Sequence, residues 1–511
     1  MKAFLLYRDR DFDLEGRLPQ NAAALSQDLE LGILFDAMAR GDPFLRDIAG
    51  RVVLTGVRDL ETILYRQAAL RDGLQNEAIV RQIYDLVIES IEQRRKSFWS
   101  FISRSPGSIL YNAVNLLQLS VEFLKRLRRV ADEHAGAFQS DAFTALFATL
   151  KRELDDEYFA TIQNHLRRLK FRDGVLISAA LGNGNKGTDY ILCKTPERSW
   201  WRRTLAHAGQ DWVGRIADRT GPVCSFSVHP RDEAGGRALA ELQNRGVNLV
   251  ANALAQSTDH ILSFFDLLRA ELAFYIGCLN LANRLQQKGE PSCFPVASAA
   301  AERQLSCRGL CDVSLTLSLE RRVVGNDVDA NGKDAVIITG ANQGGKSTFL
   351  RSVGQAQLMM QCGMFVPATS FRANLCNALF THYKREEDPT MKSGKFDEEL
   401  SRMSEIADVL TANSMVLFNE SFAATNDREG SEIARQIVRA LMEKRVKVFF
   451  VTHLYDFAHG LYDSSRNRTA FLRAERQPDG RRTFKLIEGE PLQTSYGVDL
   501  YRRIFAAEAA A

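Results

Sequence analysis

The stretch that most constrains this chain is Gly340-Ala341-Asn342-Gln343-Gly344-Gly345-Lys346-Ser347-Thr348. Its spacing, G-x-x-x-x-G-K-S, is that of a phosphate-binding loop. The run before it, Ala335 to Thr339, is short, apolar and rich in β-branched residues, which predicts a buried strand. The run after it, Phe349 to Met360, predicts a helix with Leu350, Val353, Leu358 and Met359 available for a buried face. Strand, glycine loop and helix together are the context in which such a motif works. Glycines let the backbone curl so that its N–H groups face phosphate oxygens, and the helix N-terminus adds partial positive charge at the same point. Lys346 is placed to reach the β- and γ-phosphates and the Ser347 hydroxyl to ligate Mg²⁺.

A chain of 511 residues leaves room for about three domains at ~150 residues each. The net charge of +3 means that any nucleic-acid surface must be a local patch. Eight cysteines without a C-x-x-C pair argue for free thiols in a reducing cytoplasm, against a disulfide frame or a zinc site. Arg8, Asp9, Arg10 and Asp11 come too early for a signal-peptide core. The most apolar long stretch, Ile261 to Leu281, carries Asp266, Arg269 and Glu271, so it reads as a buried amphipathic helix, not a membrane span.

Residues 1–27 show no clear period. From Asp28 to about Lys170 the pattern is helical, as in Ile79, Ile83 and Leu86 or Val114, Leu117, Val121 and Leu124. At Asp173 the period changes. Val175 to Ser178 and Tyr190 to Leu192 read as strands around the turn cluster Gly182 to Gly187, and Val223 to Val228 is a third strand candidate. Between Arg167 and Arg203 there are nine Lys or Arg against three acids, with Trp200 and Trp201 inside the run. Lys186, Arg198, Arg202 and Arg203 could track a phosphate backbone, or the run could be a solvated face with two core tryptophans. From Gly235 to about Gln287 the helical period returns, with Leu239, Leu242, Leu249, Leu254, Ile261, Phe265, Leu268 and Leu272 marking one side. One continuous helix there would run roughly 70 Å or more. Pro291 and Pro295 mark a boundary, and beyond about residue 296 strands alternate with helices.

The expected fold is therefore α+β and multidomain. It comprises a helical core over 1–172, a small β-containing clamp-like insert over 173–230, a long returning lever helix over 231–295, and an α/β P-loop ATPase domain of the ABC type over 296–511. In that last domain Ser414 to Glu420 is an apolar strand ending in Asn419 and Glu420. Glu420 is the natural water-polarising base, with Asn419 on the Mg²⁺ side. Lys447 to His453 is another buried strand, and His453 at its end could sense the γ-phosphate. Thr425 and Asn426 could pass nucleotide state to a neighbour. Ser393 and Gly394 open a helix running to about Thr411, either as a phosphate site approached by a second subunit or as an ordinary helix start. Phe471 to Arg476 and Thr483 to Ile487 flank Pro478-Asp479-Gly480 as a hairpin.

These motifs resemble the MutS mismatch-repair ATPases. Ile338 to Thr348 is similar to that family's TGPNMGGKST loop, and Gly363 to Ala368 to its G-x-x-V-P-A segment. Asn326-Asp327 resembles the N-D pair placed near the adenine, Asn419-Glu420 with Thr425 the D-E…T element, Thr452-His453 the T-H switch, and Ser495-Tyr496-Gly497 the S-Y-G near the end. Ile63, Arg66 and Gln67 resemble the I-x-x-R-Q entry to the core helices, and Asp266 lies in a helix resembling the one that joins lever to ATPase.

The resemblance implies ATP and Mg²⁺ as cofactors. Gly340, Asn342, Gly344, Gly345, Lys346, Ser347, Thr348 and Asn326 would bind nucleotide. Ser347 and, through water, Asn419 would hold the metal, Ser393 would act in trans, and Lys346, Glu420 and His453 would be catalytic. It also implies a cytoplasmic homodimer joined through the ATPase domains and acting on double-stranded or branched DNA, in mismatch repair or recombination. Departures shape this expectation. Asn419 replaces an aspartate, so slow hydrolysis is expected. Ser393 is displaced by one residue, and Val323 or Val324 stands where an aromatic often covers the adenine. The chain is expected to lack the family's mismatch-reading and nicking domains. The alternative is an ATP-gated scaffold or remodeller acting on structured RNA, ribosomes or a protein partner.

Overall fold

The computed structural model describes residues 1–98, 105–171, 175–183, 187–193, 227–229, 231–385 and 394–493. The protein is mixed α/β and divides into two compact units. One holds residues 1–2, 85–135 and 147–269, and the other residues 3–84, 136–146 and 270–511.

In the first unit the helix Pro106–His134 starts where Ser105, in extended backbone, accepts from the Ser108 amide and Pro106 takes the first position. Its Val114, Leu117, Val121 and Leu124 are buried, as their spacing predicts. The helix Asp156–Leu169 is capped by Asp155 in the same way. β1 (Leu176–Leu181) and β2 (Gly187–Cys193) form an antiparallel hairpin in which Leu176 faces Cys193 and Leu181 faces Gly187. Most of the third strand candidate, 223–226, lies outside the described residues, as do Trp200 and Trp201.

The long helix is Glu233–Gln287, 55 residues. Its apolar stripe is uniform in sequence but not in burial. Phe265, Leu268 and Leu272 are at most 1% exposed, whereas Leu239, Leu242 and Leu249 are 49%, 43% and 71% exposed. Helical period marks a face but not what covers it. Among the described residues no helix is long and apolar enough to cross a membrane.

The second unit is built on two sheets. Six strands lie in the order β12-β11-β6-β10-β9-β8, formed by β6 (Ala335–Gly340), β8 (Leu379–Tyr383), β9 (Met415–Asn419), β10 (Lys447–Val451), β11 (Thr469–Arg476) and β12 (Arg482–Glu488). All neighbours are parallel except the β11–β12 hairpin. The parallel strands are apolar almost throughout because helices cover the sheet, and β6 and β10 are buried at every position. Ile337, Phe418, Phe450 and Phe457 form the centre of that core with Val438 and Leu461. A second sheet, in the order β3-β7-β4-β5, holds β3 (Val296–Ser298), β4 (Leu305–Leu310), β5 (Asn326–Asp329) and β7 (Ser370–Asn374).

Two buried ionisable side chains tie the early chain into this unit. Arg66, 1% exposed on the helix Leu60–Gln75, donates from Nε to the Leu6 carbonyl at 2.9 Å, and its guanidinium lies 4.5 Å from the centre of the Tyr7 ring. A Cβ at Gly363 would fall 2.5 Å from the Arg66 Cβ, so this close approach requires glycine. Glu271, fully buried, accepts from the amides of Leu5 and Leu6 through Oε2 and of Phe12 through Oε1, at 2.5, 3.3 and 3.1 Å.

Burial pushes the Glu271 carboxyl up to about 7, although its three amide donors favour the charged form. Between the ordinary value of 4.5 and about 7, the folded protein keeps a proton that the unfolded chain releases. This contribution to stability is therefore complete below 4.5 and lost as pH rises through about 7. Urea unfolding of wild type at pH 5 and pH 8 should show that loss, and Glu271→Gln should not. Equal pH dependence in both proteins would show that Glu271 folds ionised.

Candidate functional site

Because β6, β9 and β10 are parallel and in register, with Val451 opposite both Ile338 and Asn419, their C-terminal ends open on one edge of the sheet. In open α/β sheets that edge is where ligands bind. β6 runs into the glycine loop, β9 into Glu420, and β10 into Thr452 and His453. The sequence-predicted residues thus converge through topology.

The loop is a tight cradle. Gly340 and Gly345 have φ of +99° and +89°, and a Cβ at Gly344 would meet the Ala341 carbonyl oxygen at 2.8 Å. The helix Lys346–Gln361 begins directly after Gly345 with no side-chain cap. Its first amides are left for an acceptor from outside the helix, and the helix dipole favours an anion there. Lys346 is only 5% exposed, and its Nζ donates to the carbonyls of Gly340 at 2.9 Å and Ala341 at 3.0 Å. Burial pulls its amine down to about 8, with Glu420 opposing that fall. A buried amine held only by neutral carbonyls is matched to an incoming phosphate.

The other side chains lie close by. Ser347 Oγ donates to Asn419 Oδ1 at 2.8 Å, so the two residues expected on the metal side are in contact. Glu420 Oε1 lies 3.0 Å from His453 Nε2. That hydrogen bond is the main reason the Glu420 carboxyl sits below its usual range, against a burial effect of opposite sign. Glu420 has φ of +56°, a left-handed backbone that its side chain does not favour. These donors fit a triphosphate with a divalent cation. The set contains a buried amine, a hydroxyl paired with an amide oxygen, and a carboxylate near both.

The other expected residues make different contacts. Asn326 is buried and staples β5 to β12, with its Nδ2 donating to the Phe484 carbonyl at 3.3 Å and its Oδ1 accepting from the Leu486 amide at 2.7 Å. Asn342 is exposed, and Thr348 is partly so. Thr425 Oγ1 donates to Glu429, and Asn426 caps the helix Asp427–Glu443. Ser393, Lys186, Arg198, Arg202, Arg203 and the segment Ser495 to Gly497 lie outside the described residues. Arg482 on β12, not singled out by the sequence, donates from Nε to the Asn342 carbonyl at 3.3 Å. Only the pairing of the hairpin with β6 brings it there, so no local signal marks it.

Fold and site together define a protein with a glycine-rich loop of the strand–loop–helix kind at the C-terminal edge of a parallel sheet. The family model described as the MutS2 N-terminal domain matches residues 58–288, and that described as MutS domain V matches residues 336–509. The chain belongs to the MutS-like family. It is 32% identical over 185 residues to the DNA mismatch repair protein MutS of Thermus aquaticus, covering 36% of this chain and 22% of that protein. It is 28% identical over 286 residues to endonuclease MutS2 of Lacticaseibacillus paracasei, covering 54% and 35%. To human MutS protein homolog 4 it is 27% identical over 198 residues, covering 36% and 20%. The matched stretches thus span about a fifth to a third of the length of these relatives.

Proposed function

We propose that this chain is an ATP-dependent DNA-binding ATPase of the MutS-like kind, acting as a cytoplasmic homodimer in mismatch repair or the handling of branched DNA. The observation that carries the reading is the convergence of Lys346, Ser347, Asn419, Glu420 and His453 on one sheet edge beside an uncapped helix N-terminus. In this reading the loop amides and Lys346 bind the phosphates. Ser347 and Asn419 hold the place of Mg²⁺, which when bound would neutralise charge between the outer phosphates. Glu420 accepts a proton from the attacking water, and His453 orients that carboxylate through Nε2. The names of the relatives support DNA as the partner: one is a DNA mismatch repair protein and one an endonuclease.

The test is Mg²⁺-ATP turnover alone and with homoduplex, mismatched duplex, four-way junction and structured RNA. Stimulation by one DNA shape supports the reading and names the substrate class. Nucleotide binding without stimulation by any nucleic acid would move the weight to a protein-partner scaffold.

Asn419 makes a further prediction. A neutral amide attracts a divalent cation less than a carboxylate does. Asn419→Asp should therefore lower the Mg²⁺ concentration for half-maximal turnover several-fold, and about 1 kcal/mol would correspond to roughly fivefold. An unchanged Mg²⁺ titration would remove Asn419 from the metal side.

A further inference from the structure

Three residues surround the backbone just after Glu420. His382, on β8, is fully buried, and its ring stacks on Phe422 with centroids 5.3 Å apart. Its Nδ1 lies 2.7 Å from Ser421 Oγ, and its Nε2 lies 3.0 Å from the main-chain carbonyl of Glu399, on the helix Lys395–Val409. A carbonyl can only accept, so Nε2 carries the proton. In the neutral ring, Nδ1 is then the acceptor for the Ser421 hydroxyl. That hydroxyl's single proton is shared with the His382 carbonyl, 2.5 Å away, so both acceptors that hold it belong to His382. Burial lowers the imidazole to about 4, which agrees with a neutral ring.

The helix makes a second tie. Glu399 is 3% exposed, and its Oε2 accepts from the Phe422 amide at 3.0 Å. Glu399 thus binds this loop twice, through its carbonyl by way of His382 and through its carboxylate directly. On the far side a Cβ at Gly430 would stand 2.3 Å from the Phe422 carbonyl oxygen, so the loop is pressed from both directions.

These ties act where the backbone is least at ease. Glu420 and Phe422 both have left-handed φ, +56° and +63°. Neither is glycine, and such conformations persist only when their surroundings over-determine them. The restraint falls on Ser421 and Phe422, while the conformation it stabilises also sets the direction of the Glu420 side chain.

We propose that His382, Ser421 and Glu399 are positioning residues that hold the 420–422 backbone in its left-handed form, so that the Glu420 carboxylate faces His453 and the phosphate cradle, and so that the helix Lys395–Val409 sets the rate of the chemical step. This rests on the ATPase reading above. Its consequence is a division of labour. Nucleotide affinity belongs to the glycine loop and Lys346, whereas turnover depends also on a helix that need not touch the nucleotide.

The experiment measures steady-state kcat and KM for Mg²⁺-ATP, the Kd of a non-hydrolysable ATP analogue and the thermal midpoint, in wild type, Ser421→Ala, Glu399→Ala and Glu399→Gln. Ser421→Ala and Glu399→Ala should lower kcat about 10- to 100-fold, the scale expected of a catalytic group displaced by about 1 Å. Analogue Kd should stay within about threefold. Glu399→Gln, which keeps an oxygen acceptor for the Phe422 amide, should recover most of the kcat. Unchanged kcat in both alanine variants overturns the proposal. So does a loss of analogue binding in step with kcat, or a Glu399→Gln variant as impaired as Glu399→Ala at an equal midpoint. Absence of turnover in wild type would overturn the ATPase reading and this proposal with it, and it is recognised before any variant is compared.

Discussion

Lys346→Ala should abolish Mg²⁺-ATP turnover, with a loss of at least about 100-fold, the scale for removing one preorganised charge from a water-poor site. The amine is buried beside two carbonyls and faces the cradle of the glycine loop. Within the glycine loop, residues 340–348, Lys346 is the single cation. The same burial predicts the opposite effect on the nucleotide-free protein. With the folded-state amine at about 8 against an ordinary 10.5, the unfolded chain holds a proton that the folded state gives up. Stability from this group is therefore present at high pH and lost as pH falls through that range. At neutral pH, Lys346→Met removes an unfavourable buried charge and should melt no lower than wild type. Mg²⁺-ATP should raise the melting temperature of wild type and leave that of the variant unmoved. A thermal shift in Lys346→Met equal to that of wild type would place the nucleotide elsewhere.

The second large effect is expected at Glu420. Glu420→Gln keeps an oxygen within reach of His453 Nε2 but cannot take a proton from water. General-base catalysis contributes about 10²–10⁴-fold, so turnover should fall by that factor while nucleotide binding survives. The pH profile adds a finer check. The hydrogen bond from His453 holds the Glu420 carboxyl below its usual range, so activity should be lost on acidification only below the ordinary glutamate value. His453→Ala removes that bond and should move the acid limb upward. If Glu420→Gln turns over at the wild-type rate, another group accepts the proton.

How much of this was legible in the sequence follows from how local each signal is. The strand, loop and helix around Lys346 were readable because all three lie within 27 consecutive residues, 335–361, and each carries its own period or glycine pattern. Glu420 and His453 were readable because apolar runs end at them, and parallel strands then bring the ends together. Asn326 carried no such mark of its real contacts, which are made to β12 about 160 residues later. His382 carries no local signal, since its partners Ser421 and Glu399 are 39 and 17 residues away. Leu239 and Leu249 show the limit of periodicity, which gives a helix its face and says nothing of its covering. The basic run, which could track a phosphate backbone or form a solvated face, lies largely outside the described residues.

The anchoring of Leu5, Leu6 and Phe12 on Glu271 also bears on how the protein is made. Leu5 and its carboxylate partner are 266 residues apart. At a synthesis rate of 5–20 residues per second, about 13 to 53 seconds separate their appearance on the ribosome. During that interval the amides of three residues that end as core, with exposures of 0%, 0% and 7%, lack their Glu271 acceptor. Arg66 can hold the Leu6 carbonyl from early in synthesis, but the amides of Leu5, Leu6 and Phe12 meet their Glu271 acceptor only once the long helix emerges. Slowing elongation before residue 271 should raise aggregation of the nascent chain more than slowing it afterwards.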